Sequence, residues 1–238
     1  MAADQGDLNA QYSLGDLYSK GQGVIKDLSR AMEWYKKSAD QGHADAQDSL
    51  SQIYFNGYGV PVDYVNALVW YQKAASRGFA NSQCQIGDMY YTGKGITRNW
   101  SRALEWYRMA ADQGHADAQN SLGKLYYFGN GVTIDNSKAM YWYQKATDQG
   151  HADGQYCLGG MHYNGDGVRS NYHKTLEWYQ KAADLGHANA QYHQGDMYFF
   201  GHGVPKNTEK ALEWWNKAAD QGHSLAKLQI SEHQDSRY

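Results

Sequence analysis

Apolar and small side chains recur at three- and four-residue intervals through Ala80, Cys84, Gly87 and Tyr90, joined by Ile86 and Met89. That spacing lines one face of an α-helix. Gly93 and Gly95 follow, and glycine tolerates the positive φ at which helices end, so the pattern predicts a first helix closing there. Ile96 stands alone as an apolar plug, and Asn99 is placed to cap a second helix. Ala103, Trp106, Tyr107 and Ala110 give that second helix a buried face before Gly114 ends it. Residues 79–114 therefore read as helix, turn, helix.

The same reading holds every 36 residues along the 238-residue chain. Trp34, Trp70, Trp106, Trp142, Trp178 and Trp214 form one column, and Gly42, Gly78, Gly114, Gly150, Gly186 and Gly222 another. Paired glycines recur from Gly21 and Gly23 to Gly201 and Gly203. Asp27, Asp63, Asn99, Asp135, Asn171 and Asn207 share the capping position, each worth about 1 kcal/mol. A fixed period of this size marks stacked units that bury their apolar faces only against neighbours. The expectation is a single all-α domain over residues 1–238, with repeats at 7–42, 43–78, 79–114, 115–150, 151–186 and 187–222 and partial repeats at both ends. Small residues such as Ala46, Ala118, Ala190, Gly15, Gly87, Gly123 and Gly195 are expected to let helices approach closely, with the tryptophans and tyrosines filling larger gaps.

The string that recurs, A-A-D-Q-G-H-A-D-A-Q followed by L-G-x-x-Y-x-x-G-x-G-V and A-L-E-W-Y-x-K-A, resembles the Sel1-like repeat, a relative of the tetratricopeptide repeat. The resemblance covers essentially the whole chain. It implies a right-handed α/α superhelix whose first helices line the concave side. It also implies a non-catalytic scaffold or adaptor, as in degradation assemblies, chitin-synthase activation, bacterial host interaction and signalling. The alternative is a regulatory subunit or activator segment of a larger enzyme.

Composition narrows the chemistry. A net charge of −3 gives no support to nucleic-acid binding, which needs a clustered basic face. No apolar stretch approaches the roughly 18 residues of a membrane span, so no direct membrane insertion is expected. Cys84 and Cys157 lie two repeats apart, about 20 Å if units stack at about 10 Å each, too far for a disulfide. That favours a reducing, cytoplasmic compartment. The opening Ala2-Ala3-Asp4-Gln5-Gly6 matches the end of a repeat, a start expected of a fragment of a longer protein.

The residues that invite a catalytic or metal reading have simpler explanations. The glycine pairs lack the third glycine of a dinucleotide fingerprint and sit between helices. His43, His115, His151, His187 and His223 fall one per repeat, so they spread along the stack and are expected to bond backbone at the turn before each first helix. Lys37, Lys73, Lys145, Lys181 and Lys217, with Glu33, Glu105, Glu177 and Glu213, read as a solvated face of i,i+4 pairs. No nucleophile, base and orienting group converge, and the disulfide per repeat of β-lactam-binding relatives is absent. No cofactor, metal or catalytic residue is expected.

Function is then sought in columns that vary. On the face of the first helices opposite the buried Leu and Tyr, the candidate partner-binding residues are Tyr12, Asp16, Asp48, Gln52, Asp88, Asn120, Lys124, Phe128, Tyr156, Tyr192, Asp196 and Phe200. Asp16, Asp45, Asp48, Asp88, Asp117, Asp153 and Asp196 outnumber Lys20 and Lys124 there, and aromatic rings gather toward the C-terminal half. That mixture suits a protein or peptide partner carrying basic side chains, held partly over aromatic faces. Leu225 and Leu228 break the column pattern of the last helix and suggest end-to-end self-association.

Overall fold

The protein is described from a computed structural model covering residues 2–235, the side chains of Gln234 and Asp235 excepted. Met1 and residues 236–238, which the expected 1–238 domain includes, lie outside the described residues. After a 3-10 turn at Ala2–Gln5 come α1 (Leu8–Lys20), α2 (Leu28–Asp40), α3 (Ala44–Asn56), α4 (Tyr64–Ala75), α5 (Ala80–Thr92) and α6 (Trp100–Asp112). Then follow α7 (Ala116–Phe128), α8 (Asn136–Thr147), α9 (Ala152–Asn164), α10 (Tyr172–Asp184), α11 (Ala188–Phe200), α12 (Thr208–Asp220) and α13 (Ser224–Asp235). Among the described residues there is no strand. Two compact units, Met1–Ala118 and Gln119–Tyr238, make up the chain. In the first, α1 to α6 pack each on the next; in the second, α8 to α13 do the same.

Local chemistry explains why helices start and stop where they do. The side chains of Asp27, Asp63, Asn99, Asp135, Asn171 and Asn207 accept from the backbone N–H three residues on, at 2.9–3.0 Å. First helices use a less usual cap. Nδ1 of His43, His115, His151, His187 and His223 accepts the equivalent N–H at 3.1–3.4 Å. A nitrogen used this way carries no proton, which fixes the tautomer of each ring. At the other end, Gly93 takes φ 81° and donates its N–H to the Met89 carbonyl, closing α5.

The packed ring differs from the one the tryptophan column suggests. Trp70 and Trp142 are buried, but Trp34, Trp106, Trp178 and Trp214 are only half-buried. The residue one further along is the one driven home: Tyr35, Tyr71, Tyr107, Tyr143, Tyr179 and Trp215 are all 5% exposed or less. The reason in five of the six is a glycine in the facing first helix; opposite Tyr71 the small residue is Ser51. A Cβ added at Gly87 would fall 2.5 Å from Tyr107 Cδ1, so the ring occupies the space a side chain would need. The indoles are left at the rim, where Lys37, Lys73, Lys181 and Lys217 lie 3.7–4.1 Å over Trp34, Trp70, Trp178 and Trp214. The lysine stripe thus covers aromatic faces, at about 0.5–1 kcal/mol per exposed contact, beyond any pairing with glutamate.

In four repeats a buried glutamine ties the unit to the helix or turn before it. Nε2 of Gln11, Gln47, Gln83 and Gln191 donates to the carbonyls of Ala3, Ala39, Ala75 and Ala183. The opening 3-10 turn therefore stands in for the end of a preceding second helix. A second glutamine then donates to the first one's Oε1: Gln41 to Gln11, Gln113 to Gln83, Gln149 to Gln119 and Gln221 to Gln191, at 2.7–2.9 Å. Arg77 and Leu185 occupy that donor position in the other two repeats. Gln47 and Gln155 are the corresponding acceptors, and both have a buried Oε1 without a partner among the described residues. Leu185→Gln should supply the missing donor and raise stability by about 1 kcal/mol, read by urea denaturation. No gain would mean that Gln155 Oε1 is already satisfied.

Candidate functional site

One cavity of about 600 Å³ opens in the second unit between first helices, bounded by α7, α9 and α11. Its rim carries Phe128 and Phe200, 61% and 60% exposed. Both sit on the last residue of their helices, just before the turn glycine, which is why large rings there point past the packed core. Deeper in, Tyr156 stacks on His187 at 4.7 Å, on Tyr179 at 5.6 Å and on His193 at 5.9 Å. Met161, Met197 and Cys157 complete an apolar wall. Burial pushes the phenols of Tyr156 and Tyr179 and the Cys157 thiol upward, so all three keep their protons at neutral pH.

The charged groups of the cavity are largely committed to one another. Asp153 receives His187 Nε2 on Oδ1 and Lys124 Nζ on Oδ2, both at 3.4 Å. His187, with Lys124 behind it, holds that carboxyl well below the usual range against the opposing effect of burial. Asp196 accepts from Trp215 Nε1 at 3.1 Å and pairs with His193 Nδ1 at 3.3 Å. The cavity is therefore aromatic and polar, and its single lysine offsets one of its two carboxylates.

Of the residues singled out in sequence, Lys124, Phe128, Tyr156, Asp196 and Phe200 come together here. Tyr192 stacks on His223 at 4.6 Å and meets His193 edge-on at 5.1 Å. Asn120, 3% exposed, faces neighbouring helices instead of solvent. In the first unit Tyr12 stacks on His43 at 4.7 Å. Asp16 accepts from Tyr35 Oη at 2.6 Å and from Lys20. Asp88 accepts from Tyr107 Oη at 2.7 Å. Gln52 is exposed and donates to Asp48 at 2.8 Å. Asp48 itself is 6% exposed and engaged by Ser82 and Asn81, so the expected solvent-facing carboxylate is an internal one. The acidic surface expected from seven aspartates is correspondingly reduced by internal hydrogen bonds. Tyr179, His187, His193 and His202 line the cavity without having been candidates. Only His193 and His202, which fall outside the capping column, carried a sequence signal.

Two histidines make stability depend on pH. Burial lowers the pKa of His223, helped by nearby His193 and opposed by Asp196. Burial likewise lowers that of His162, helped by Lys174 and opposed by Glu177. Each ring takes up its proton later in the folded chain than in the unfolded one. Their contribution is fully present above the unfolded value of about 6.5 and is lost as pH falls below it. Urea denaturation between about pH 7.5 and 5.5 should show falling stability. His223→Asn, which keeps a capping acceptor without a titrating ring, should show a shallower fall; an unchanged slope would dismiss that ring as a contributor.

The Sel1 repeat profile matches residues 8–43, 44–79, 80–115, 116–151, 152–187 and 188–223. The chain belongs to the Sel1 repeat family. A protective antigen present in uropathogenic Escherichia coli strains, displaying an SLR fold, is 38% identical with TM-score 0.89, over 96% of this chain and 49% of that one. A Sel1 repeat protein from Oxalobacter formigenes is 34% identical with TM-score 0.87, over 97% of this chain and 67% of that one. An immunity protein from Pseudomonas aeruginosa, 22% identical with TM-score 0.57 over 91% of this chain and 83% of that one, shares the fold. No curated protein matches the chain. The chain spans about half the length of the first relative and two thirds of the second. Sel1 repeat proteins generally mediate protein–protein interactions, and the family's scaffold is typically non-catalytic. No described helix of this Sel1 repeat chain is long and apolar enough to cross a membrane.

Proposed function

We propose that this chain is a non-catalytic interaction module that binds a peptide or protein segment in the cavity between α7, α9 and α11. The observation that carries the reading is the cavity itself: about 600 Å³, lined in part by positions that vary between repeats, such as Lys124, Tyr156 and Gly160, with Phe128 and Phe200 standing 61% and 60% exposed at its rim. Exposed rings beside a ready-made cleft are the composition of an interaction hot spot. The free thiols Cys84 and Cys157 support a reducing, cytoplasmic setting for this activity. Leu225 and Leu228, 52% and 49% exposed on α13, support a secondary contact with another copy at that end.

A display library of random peptides selected on the full chain tests this. Peptides recovered should bind the Phe128→Ala, Phe200→Ala double variant at least about tenfold more weakly, because anchor rings commonly contribute about 2 kcal/mol or more. Thermal unfolding should be unchanged, since neither ring is part of the packed core. Undiminished binding to the double variant would move the site elsewhere.

A further inference from the structure

Three repeats share a small device. The ring pressed onto the first helix ends in a donor, and an aspartate 19 residues earlier accepts from it: Tyr35 to Asp16 at 2.6 Å, Tyr107 to Asp88 at 2.7 Å, Trp215 to Asp196 at 3.1 Å. In the other repeats the carboxylate position holds Gln52, Lys124 and Gly160, and only Gly160 brings no side chain at all. A Cβ built on Gly160 would lie 3.8 Å from Tyr179 Oη. Tyr179 is 5% exposed, and its hydroxyl has no hydrogen-bond partner among the described residues. Gly160 and Tyr179 both line the cavity. The hydroxyl is not sealed in the core: it opens on the cavity, where an acceptor brought by a ligand can meet it.

The charged groups of the cavity leave this spot to donors, although two carboxylates stand elsewhere in its wall. Both oxygens of Asp153 and both of Asp196 are already engaged. Each of those oxygens thus has one partner and keeps a second lone pair. Beside Gly160 itself the nearby groups are donors: the Tyr179 hydroxyl, which burial keeps protonated, and Lys124, whose ammonium directs one contact at Asp153 and carries three N–H groups.

We propose that the cavity binds a carboxylate of its partner peptide, seated in the space beside Gly160, accepting from Tyr179 Oη within the field of Lys124. The ligand supplies the group that Asp16, Asp88 and Asp196 supply in their own repeats. This rests on the peptide-binding reading above and narrows it, replacing a basic partner by an acidic one at this cavity. The carboxylate is that of an Asp or Glu side chain or of a chain terminus, two sources with one chemistry.

Three dipeptides separate the possibilities by calorimetry on the full chain. N-acetyl-aspartyl-phenylalaninamide carries the acid on a side chain, N-acetyl-asparaginyl-phenylalanine carries it at the terminus, and N-acetyl-asparaginyl-phenylalaninamide carries none. At least one acid should bind about tenfold more tightly than the neutral compound, the scale of a hydrogen bond to a charged group. Gly160→Asp installs the chain's own carboxylate and should cancel that preference without loss of thermal stability. Tyr179→Phe should cancel it too while preserving the ring stack. Acids binding no better than the neutral dipeptide would overturn the inference, while a Phe200→Ala-sensitive affinity for all three would leave the interaction reading standing. If none binds but library peptides do, indifferent to Gly160→Asp, the inference alone falls. If neither dipeptides nor library peptides bind, both fall.

Discussion

Trp215→Ala should cost about 3–5 kcal/mol, the largest loss expected from any single truncation in this chain. Trp215 is the largest fully buried side chain, 0% exposed. It lies where a Cβ on Gly195 would be, meets Phe199 at a centroid distance of 5.2 Å and donates to Asp196. Truncation opens a cavity and strips Asp196 of a donor together. Trp215→Tyr should recover much of the loss, because five sister repeats place a tyrosine there and two of those phenols reach an aspartate. Urea denaturation decides: a loss below about 1 kcal/mol would mean that α11 and α12 close over the gap.

Asp48→Ala should cost about 3 kcal/mol. The Asp48 carboxylate accepts from Ser82 Oγ at 2.6 Å, from Asn81 Nδ2 at 2.9 Å and from Gln52 Nε2 at 2.8 Å. Burial raises its pKa despite all three donors, which marks a carboxylate held away from solvent by packing. Removing it leaves the buried Ser82 hydroxyl and the Asn81 amide without their acceptor, and each orphaned group carries its own penalty. Asp48→Asn, which retains one acceptor oxygen, should lose less. Equal losses for the two variants, measured by thermal and urea unfolding, would show that the hydrogen bonds contribute little. Charge reversal at this position tests folding, and says nothing about a partner.

The repeat arithmetic made most of the architecture legible. Capping residues, turn glycines and helix faces depend on neighbours within one unit, and Asp27 through Asn207 cap their helices as their chemistry requires. The exposed face was harder to read, because it depends on what the next repeat lays across it. Position 48 in α3 equals 12 in α1, 156 in α9 and 192 in α11, yet Asp48 is buried whereas the three tyrosines are not. A short side chain there is covered by the following first helix. A tyrosine overreaches it and stacks on that helix's capping histidine, as Tyr12 does on His43, Tyr156 on His187 and Tyr192 on His223. Tyr179 escaped notice for the opposite reason. It belongs to a column that repeats, so it reads as packing, and its availability comes from the glycine at 160, not from itself.

The unpaired glutamine in the second unit has a mechanical consequence. Gln155 immediately precedes Tyr156, and Leu185, which fails to tether it, stands two residues before His187. A hydrogen bond that four sister repeats make within themselves is thus missing beside two walls of the cleft. Gln47 and Arg77 leave the same gap in the first unit, but only at Gln155 does it border the cavity, so there α9 is held to the turn before α11 by one bond fewer.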